Sequence, residues 1–317
     1  MDVQNKTRAL IEAAMMTALT SIFAIVRIYI PILTFISFFI PVPLTILGKK
    51  HGLKFTIISV FASGMIIGMF TEPIYSIFIT ILYGSVSVAM GYMMNKKYKP
   101  SKILLSTMLV AIISLALCIQ MASKISGIDM VGQMIDMFDQ AINMNISLQE
   151  KIGTDQAQME QMKVMLENML QMMKMMIPFM VISAGGFLAY INYRLTTYVL
   201  KRLGHKVEAL PPIREVRLPK SIVMGTFLIM GLTIMTKNLG FANYTTLVLN
   251  VFLIFQFIYL IQGVAVVSYF MHSYKLRKPL RIFIYIFLLL NQMTAFMLAI
   301  IGFIDAIIDV RNRRKIN

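Results

Sequence analysis

From Thr245 to Ser273 the chain carries no lysine, arginine, aspartate or glutamate, and the run from Phe55 to Thr71 is equally free of them. About 20 apolar residues let a helix cross the ~30 Å hydrocarbon layer of a bilayer. Lipid offers no water to backbone N–H and C=O groups, so a crossing segment closes its hydrogen bonds within itself, as a helix does. Such runs recur along the 317 residues and leave 14% of them charged, where a soluble domain has about a quarter. The chain is therefore read as all-α, a polytopic helical membrane protein of about 8–10 transmembrane helices. Spans are expected at 8–27, 30–48, 53–70, 73–94, 102–122, 176–200, 220–236, 243–270 and 282–309.

The net charge of +16 does not read as nucleic-acid binding, because the basic residues form short clusters between apolar spans. With a cytoplasmic N-terminus, all of them except Arg27, Lys124, Lys151, Lys163, Lys174 and Lys237 fall on the cytoplasmic side, as the positive-inside rule requires. The opening MDVQNKTRALIEAAMM has no small-residue cleavage site of a secretory signal, and the first helix is expected to remain as the insertion signal. The last run would be about 42 Å long as one helix, longer than the hydrocarbon layer. A break at Asn291-Gln292 would double it back and return the basic tail to the cytoplasm. The expected location is the cell membrane.

Four regions follow from these spans. Residues 1–122 and 176–200 form a six-helix core, and 123–175 an extracytoplasmic methionine-rich insertion. KRLGHKVEALPPIREVRLP (201–219) is a cytoplasmic linker, and 220–317 a second membrane block. Within the insertion, Met130, Met134, Met137 and Phe138 mark one amphipathic helix. Met162, Met165, Met169, Met172 and Met176 mark a second, with a turn at 147–155; together they make a helical hairpin. Thioethers select Cu(I), yet the segment holds neither histidine nor cysteine. Methionine also fills irregular apolar grooves, so the stripe reads as an oily helix face and copper handling as a third-ranked alternative. No metal and no cofactor are expected.

No catalytic constellation is present. GxxxxGK[ST], GxSxG and HExxH are absent, and the expectation is a protein that is not an enzyme. Cys118, the single cysteine, allows no disulfide within one chain and reads as a small buried residue. Polar groups in spans are costly in lipid and usually face the bundle interior; they include Glu12, Arg194, Asn250, Asn291 and Gln292. Arg27, Glu72, Asn192, Gln256 and Gln262 are taken as a candidate polar pocket, although Arg27 also fits a side chain snorkelling to headgroups. Asp305, Asp309 and Arg313 read as helix-end ion pairs, Asp309 and Arg313 being one turn apart. Pro41-Val42-Pro43 breaks or kinks the second span, and broken helices often mark binding sites in transporters. Ala9 and Ala13, and Ala14 and Ala18, repeat small residues at the spacing that lets a partner helix approach.

TRALIEAAMMTAL, PVPLTILGKKHGLK, QGVAVVSYF and GFIDAIIDVRNR together resemble the YybS-like family of bacterial integral membrane proteins, a domain without an assigned function. The likeness covers nearly the whole chain and departs from the family at Ser268, where that run carries a histidine. The first six spans are also similar to the substrate-binding component of energy-coupling-factor transporters. That resemblance implies Ala9, Ala13, Ala14 and Ala18 as the docking face for a transmembrane coupling subunit. It further implies a small-molecule substrate on the outer side and partner ATPases for energy. The insertion at 123–175 and the block after residue 220 depart from it. The leading expectation is a substrate-binding or partner-binding transporter component in the lipid bilayer. The alternative is a membrane scaffold whose linker and hairpin are docking surfaces.

Overall fold

The computed structural model describes residues 3–126, 130–152 and 156–313, which are helical or looped throughout, with no strand among them. The chain divides into two compact units. Unit 1 comprises residues 1–170 and 180–210; unit 2 comprises 171–179 and 211–317. The division at 210/211 falls inside the expected linker. Most of the expected insertion counts with unit 1.

In unit 1, α1 (Val3–Tyr29) is followed by a 3-10 helix, Pro31–Phe39, which passes at Ile40 into α2 (Pro41–His51). A 3-10 run of this length is uncommon. Pro31 opens it, and Pro41, with no N–H to donate, opens the α-helix that replaces it. Gly52, at φ 85°, turns the chain sharply into α3 (Leu53–Phe70). Glu72 precedes Pro73 at the start of α4 (Pro73–Ile79), which widens into a π-turn, Thr80–Gly84, before α5 (Ser85–Asn95). The second and fourth spans are thus both interrupted near mid-length. The long α6 (Pro100–Ser126) and α7 (Met130–Ile152) follow. The chain then enters α8 (Gln156–Arg202), about 70 Å long at 1.5 Å per residue.

Lipid tails are as apolar as leucine, so these helices gain little by hiding oil from oil. Close packing and interhelical hydrogen bonds must hold them together. Unit 1 accordingly brings small residues to its crossings. A Cβ on Gly48 of α2 would lie 3.0 Å from the Gly91 Cα of α5, and one on Gly185 of α8 would lie 3.0 Å from the Ile112 backbone N of α6. Val42, Ile46, Met90, Met94, Tyr193 and Leu200 pack into one buried cluster beside the first crossing.

Unit 2 contains a 3-10 turn (Ile213–Glu215), α9 (Lys220–Met235), α10 (Tyr244–Ser273), α11 (Lys278–Leu290), α12 (Gln292–Ile308) and the short α13 (Val310–Arg313). The break expected at Asn291-Gln292 is present. The Asn291 side chain accepts the Met293 N–H, capping α12, and the two pieces bend by 102°. Asn250 acts on Pro178 of α8. Its Nδ2 donates to the Met175 carbonyl (2.7 Å) and its Oδ1 accepts the Phe179 N–H (2.7 Å). A side-chain amide therefore stands in for the helix rung beside the proline, a repair that lipid makes necessary.

Among the described residues seven helices are long and apolar enough to cross a membrane, and an eighth if the bent pair is one span. The all-α polytopic reading holds. The segment expected at 220–236 forms only the 16-residue α9; of the turn expected at 147–155, residues 147–152 are helical, the end of α7, and 153–155 lie outside the described residues. The methionine stripe lies on an unbroken α8; Met165, Met169 and Met172 are exposed, and Leu170 is the buried residue of that stretch.

Candidate functional site

The interrupted second and fourth spans meet around a buried group of hydroxyls in unit 1. α1 turns Thr17, Thr20, Ser21 and Ala24 inward, one turn apart along a single face. α3 presents Ser63 and Ile67, the π-turn Thr80 and Tyr83, and α5 Ser87. Thr20, Ser63, Thr80, Tyr83 and Ser87, with apolar neighbours such as Ile40 and Leu44, line a cavity of about 10 Å³, enough for one water. Ser87 Oγ shares its proton between the carbonyls of Pro41 (3.0 Å) and Tyr83 (2.7 Å). One hydroxyl thus ties together the two broken spans at the point where each loses its regular helix. Gly64 makes room for the π-turn, because a Cβ there would fall 2.5 Å from Thr80 Oγ1.

Two polar atoms of this region are buried without a partner, Thr20 Oγ1 and Arg27 Nε. Arg27 is half-buried, one turn beyond Ala24, which packs in one buried cluster with Tyr83. Glu72 is exposed and does not pair with it. Asn192 is fully buried on α8, where Nδ2 donates to the Leu188 carbonyl (2.9 Å) and Oδ1 has no partner. Gln256 and Gln262 belong to unit 2. The five-residue polar pocket expected from the sequence is therefore corrected. Arg27 stands beside the hydroxyl chamber, and no hydrogen bond or ion pair joins any two of the five. Spacing revealed which residues are polar, but the serines and threonines that line the chamber are too common in apolar helices to stand out.

At the other end of unit 1, Glu12 gathers three basic groups. Lys50 Nζ and His51 Nε2 (2.9 Å) bind its Oε2, and Arg8 Nε (3.3 Å) its Oε1. The carboxylate thus staples α1 to the last turn of α2, where basic residues also complement the helix dipole. His205, in the loop after α8, sits near this end. Burial pushes its imidazole below the ordinary histidine range, and the charges of Lys49 and Lys50 push in the same direction against a pull from Glu12. The sign follows: a depressed folded value favours folding above the ordinary ~6.5 and loses that contribution as the pH falls through the folded value. Lys49→Gln is expected to raise the His205 value in an NMR titration; an unchanged or lower value would disprove the arrangement.

The alanines of α1 divide. Ala9 and Ala13 are buried against the other helices of unit 1, whereas Ala14 and Ala18 are exposed beside Leu10, Met15 and Ile22. Residues five apart on a helix point in different directions, so the four cannot form one free face. Of the four alanines of the expected docking face, only Ala14 and Ala18 are exposed.

In unit 2 the expected ion pairs take other partners. Asp305 and Arg311 are both about 1% exposed at the side chain. Arg311 donates through Nε (3.2 Å) and Nη2 (2.9 Å) to Asp305 Oδ2, and through Nη1 to the Arg214 carbonyl (3.0 Å). Gln262 Nε2 joins the same carboxylate oxygen (2.7 Å), while its Oε1 accepts the Leu218 N–H (3.1 Å). Asp309 pairs with Arg217 at 2.9 Å. The Arg313 side chain lies outside the described residues. The expectation assumed a helix continuing past Asp309. That residue instead ends α12 in the left-handed region at φ 50°, and the chain returns Arg311 to Asp305.

A family model described as a predicted membrane protein, DUF2232, matches residues 18–306. The uncharacterized protein YybS of Bacillus subtilis (strain 168) is 23% identical over 319 residues, covering 98% of this chain and 100% of that protein. No solved structure matches.

Proposed function

We propose that this chain, which belongs to the DUF2232 family of predicted membrane proteins, is a non-enzymatic solute-binding and partner-binding component of a transport system. The observation that supports it is the meeting of two interrupted spans on the buried hydroxyls, with Thr20 Oγ1 unpartnered and the Arg27 guanidinium alongside. Interrupted helices supply polar groups at membrane depth only where they are enclosed by protein or line a cavity. Such groups are expensive in lipid and mark function by default. The cavity in its present form has room for one water only, so a solute enters by parting the broken spans. With the N-terminus cytoplasmic in the cell membrane, Arg27 lies toward the outer face and meets the solute there.

The chain carries no P-loop, so energy comes from partner ATPases acting through a coupling subunit. This is the arrangement of energy-coupling-factor transporters. The exposed pair Ala14 and Ala18 is the contact, since two small side chains four apart let a partner helix approach closely. The experiment is purification of the full chain from its native membrane, with mass spectrometry of bound small molecules and co-purifying subunits. A bound solute, together with an ATPase subunit lost from the Ala14→Leu/Ala18→Leu variant by roughly tenfold, is the expected result. Ala13→Leu serves as a contrast, because a buried clash lowers stability instead. Absence of both solute and subunit would leave the membrane-scaffold reading.

A further inference from the structure

The Gly48–Gly91 crossing has an electrostatic consequence at the chain ends it joins. With no side chain on either residue, α2 and α5 approach until a Cβ on one would meet the other's backbone at 3.0–3.1 Å. One residue beyond Gly48 is Lys49, and just beyond the end of α5 is Lys97. Asn95 Nδ2 donates to the Lys49 carbonyl (2.9 Å), holding the two ends in register. Lys97 occupies the left-handed region at φ 58°, an uncommon conformation for a residue with a Cβ, which fixes the turn that carries it. Lys49 and Lys97 lie close enough to repel each other, and the loop after α8 adds His205, which feels Lys49 and Lys50. Three separate elements thus bring basic side chains to one place.

Like charges brought together cost free energy unless an anion is shared between them. Among the described residues neither Lys49 nor Lys97 has a carboxylate partner, and Glu12 is already taken by Arg8, Lys50 and His51. The rim around the cluster is interfacial in character: Lys96 lies over Tyr92, Lys102 over Tyr98 and Arg202 over Tyr198, with all three tyrosines exposed. Aromatic residues with basic neighbours sit at headgroup level.

We infer that Lys49 and Lys97, brought together by the Gly48–Gly91 crossing, form with His205, carried just past Leu200 of α8 where it packs with Ile46 and Met94, a binding site for one phosphate group. Ammonium groups act as point charges toward phosphate oxygens, and an imidazole at its edge contributes a further N–H. The phosphate has two sources, the headgroup of an anionic lipid or a free phosphorylated solute. The site stands apart from the hydroxyl chamber and does not rest on the proposed transport role.

The test uses the full chain in nanodiscs of phosphatidylcholine, with and without phosphatidylglycerol, at a salt concentration that screens diffuse attraction. Its readout is the thermal unfolding midpoint. Phosphatidylglycerol is expected to raise the midpoint, and Lys49→Gln/Lys97→Gln to abolish the rise with roughly 25-fold weaker lipid binding, near fivefold per lysine. The same rise from inorganic phosphate in pure phosphatidylcholine discs identifies a soluble ligand. Lys275→Gln/Lys278→Gln, in a basic loop of unit 2, keeps the full response. If that control loses as much as the Lys49/Lys97 variant, or if neither probe shifts the wild type, the site does not exist. Gly91→Ala forces α2 and α5 apart while leaving every charge in place. It is expected to weaken the response as well, a loss that mere net charge would not produce.

Discussion

Gly302→Ala is expected to unfold or separate α10 and α12 in unit 2, although it adds a single methyl group. The new Cβ would sit 2.0 Å from the Tyr259 carbonyl oxygen and 2.5 Å from the Gly263 N. Backbone atoms cannot rotate aside as a flexible side chain does. Gly263 is the reciprocal position, where a Cβ would meet the Leu298 carbonyl oxygen at 1.9 Å. Helices in lipid depend on such approach for their dispersion contacts, so forcing them apart also loosens the edge-on packing of Tyr259 and Phe303, 5.1 Å between centroids, and the Thr226–Tyr259 hydrogen bond. Overpacking of a core costs about 1–3 kcal/mol where neighbours can yield; here the loss should be about 3 kcal/mol or more. Gly225 and Gly231 on α9 have nothing within 4 Å of a Cβ. Alanine there should instead stabilise by roughly 0.5–1 kcal/mol, the usual gain of replacing a helix glycine. Thermal unfolding of the three variants in one detergent decides the matter. Equal behaviour of Gly302→Ala and Gly231→Ala would refute the close crossing.

Arg311→Met is the second substitution with a large expected effect. It leaves the Asp305 carboxylate buried with only Gln262 as a donor, and Asp305 Oδ1 is already without a partner. Removing one member of a buried pair typically costs about 3–5 kcal/mol, because the remaining charge is uncompensated. The Arg214 carbonyl would lose its donor as well, so the 213–218 segment should become susceptible to protease together with unit 2. Arg311→Lys keeps the charge but cannot reach both acceptors with one planar fork, and an intermediate loss is expected. The double variant Asp305→Leu/Arg311→Met removes both charges and should recover most of the stability, since well-packed apolar pairs often equal buried ion pairs. If the double variant is as unstable as Arg311→Met alone, the network does not act through charge pairing. Limited proteolysis with unfolding midpoints reads both outcomes.

The spans, the proline-broken second helix and the break at Asn291 were legible because each depends on a local property: apolar length, a missing N–H, or a capping amide. The polar pairings were not. Glu12 meets Lys50 and His51, 38 and 39 residues away, and Arg311 meets the Arg214 carbonyl across 97; no periodicity encodes either. Asp309 pairs with Arg217, 92 positions away, and its left-handed backbone ends the helix on which the spacing argument relied. The alanines of α1 show the same limit in another form. Spacing identifies two small-residue pairs, but only packing decides that Ala9 and Ala13 are covered and Ala14 and Ala18 are not.

By itself the amino-acid order determined that lipid is the solvent, that helices cross it, and where prolines interrupt them, because hydration of charge and backbone hydrogen bonding act over one turn or one span. Tertiary structure alone decided which hydroxyls close around a cavity, which carboxylate answers which guanidinium, and which lysines are left facing one another. Those outcomes depend on helix crossings set within a few tenths of an ångström by glycines such as Gly48, Gly91, Gly263 and Gly302. Steric fit of that kind operates only between segments already brought together.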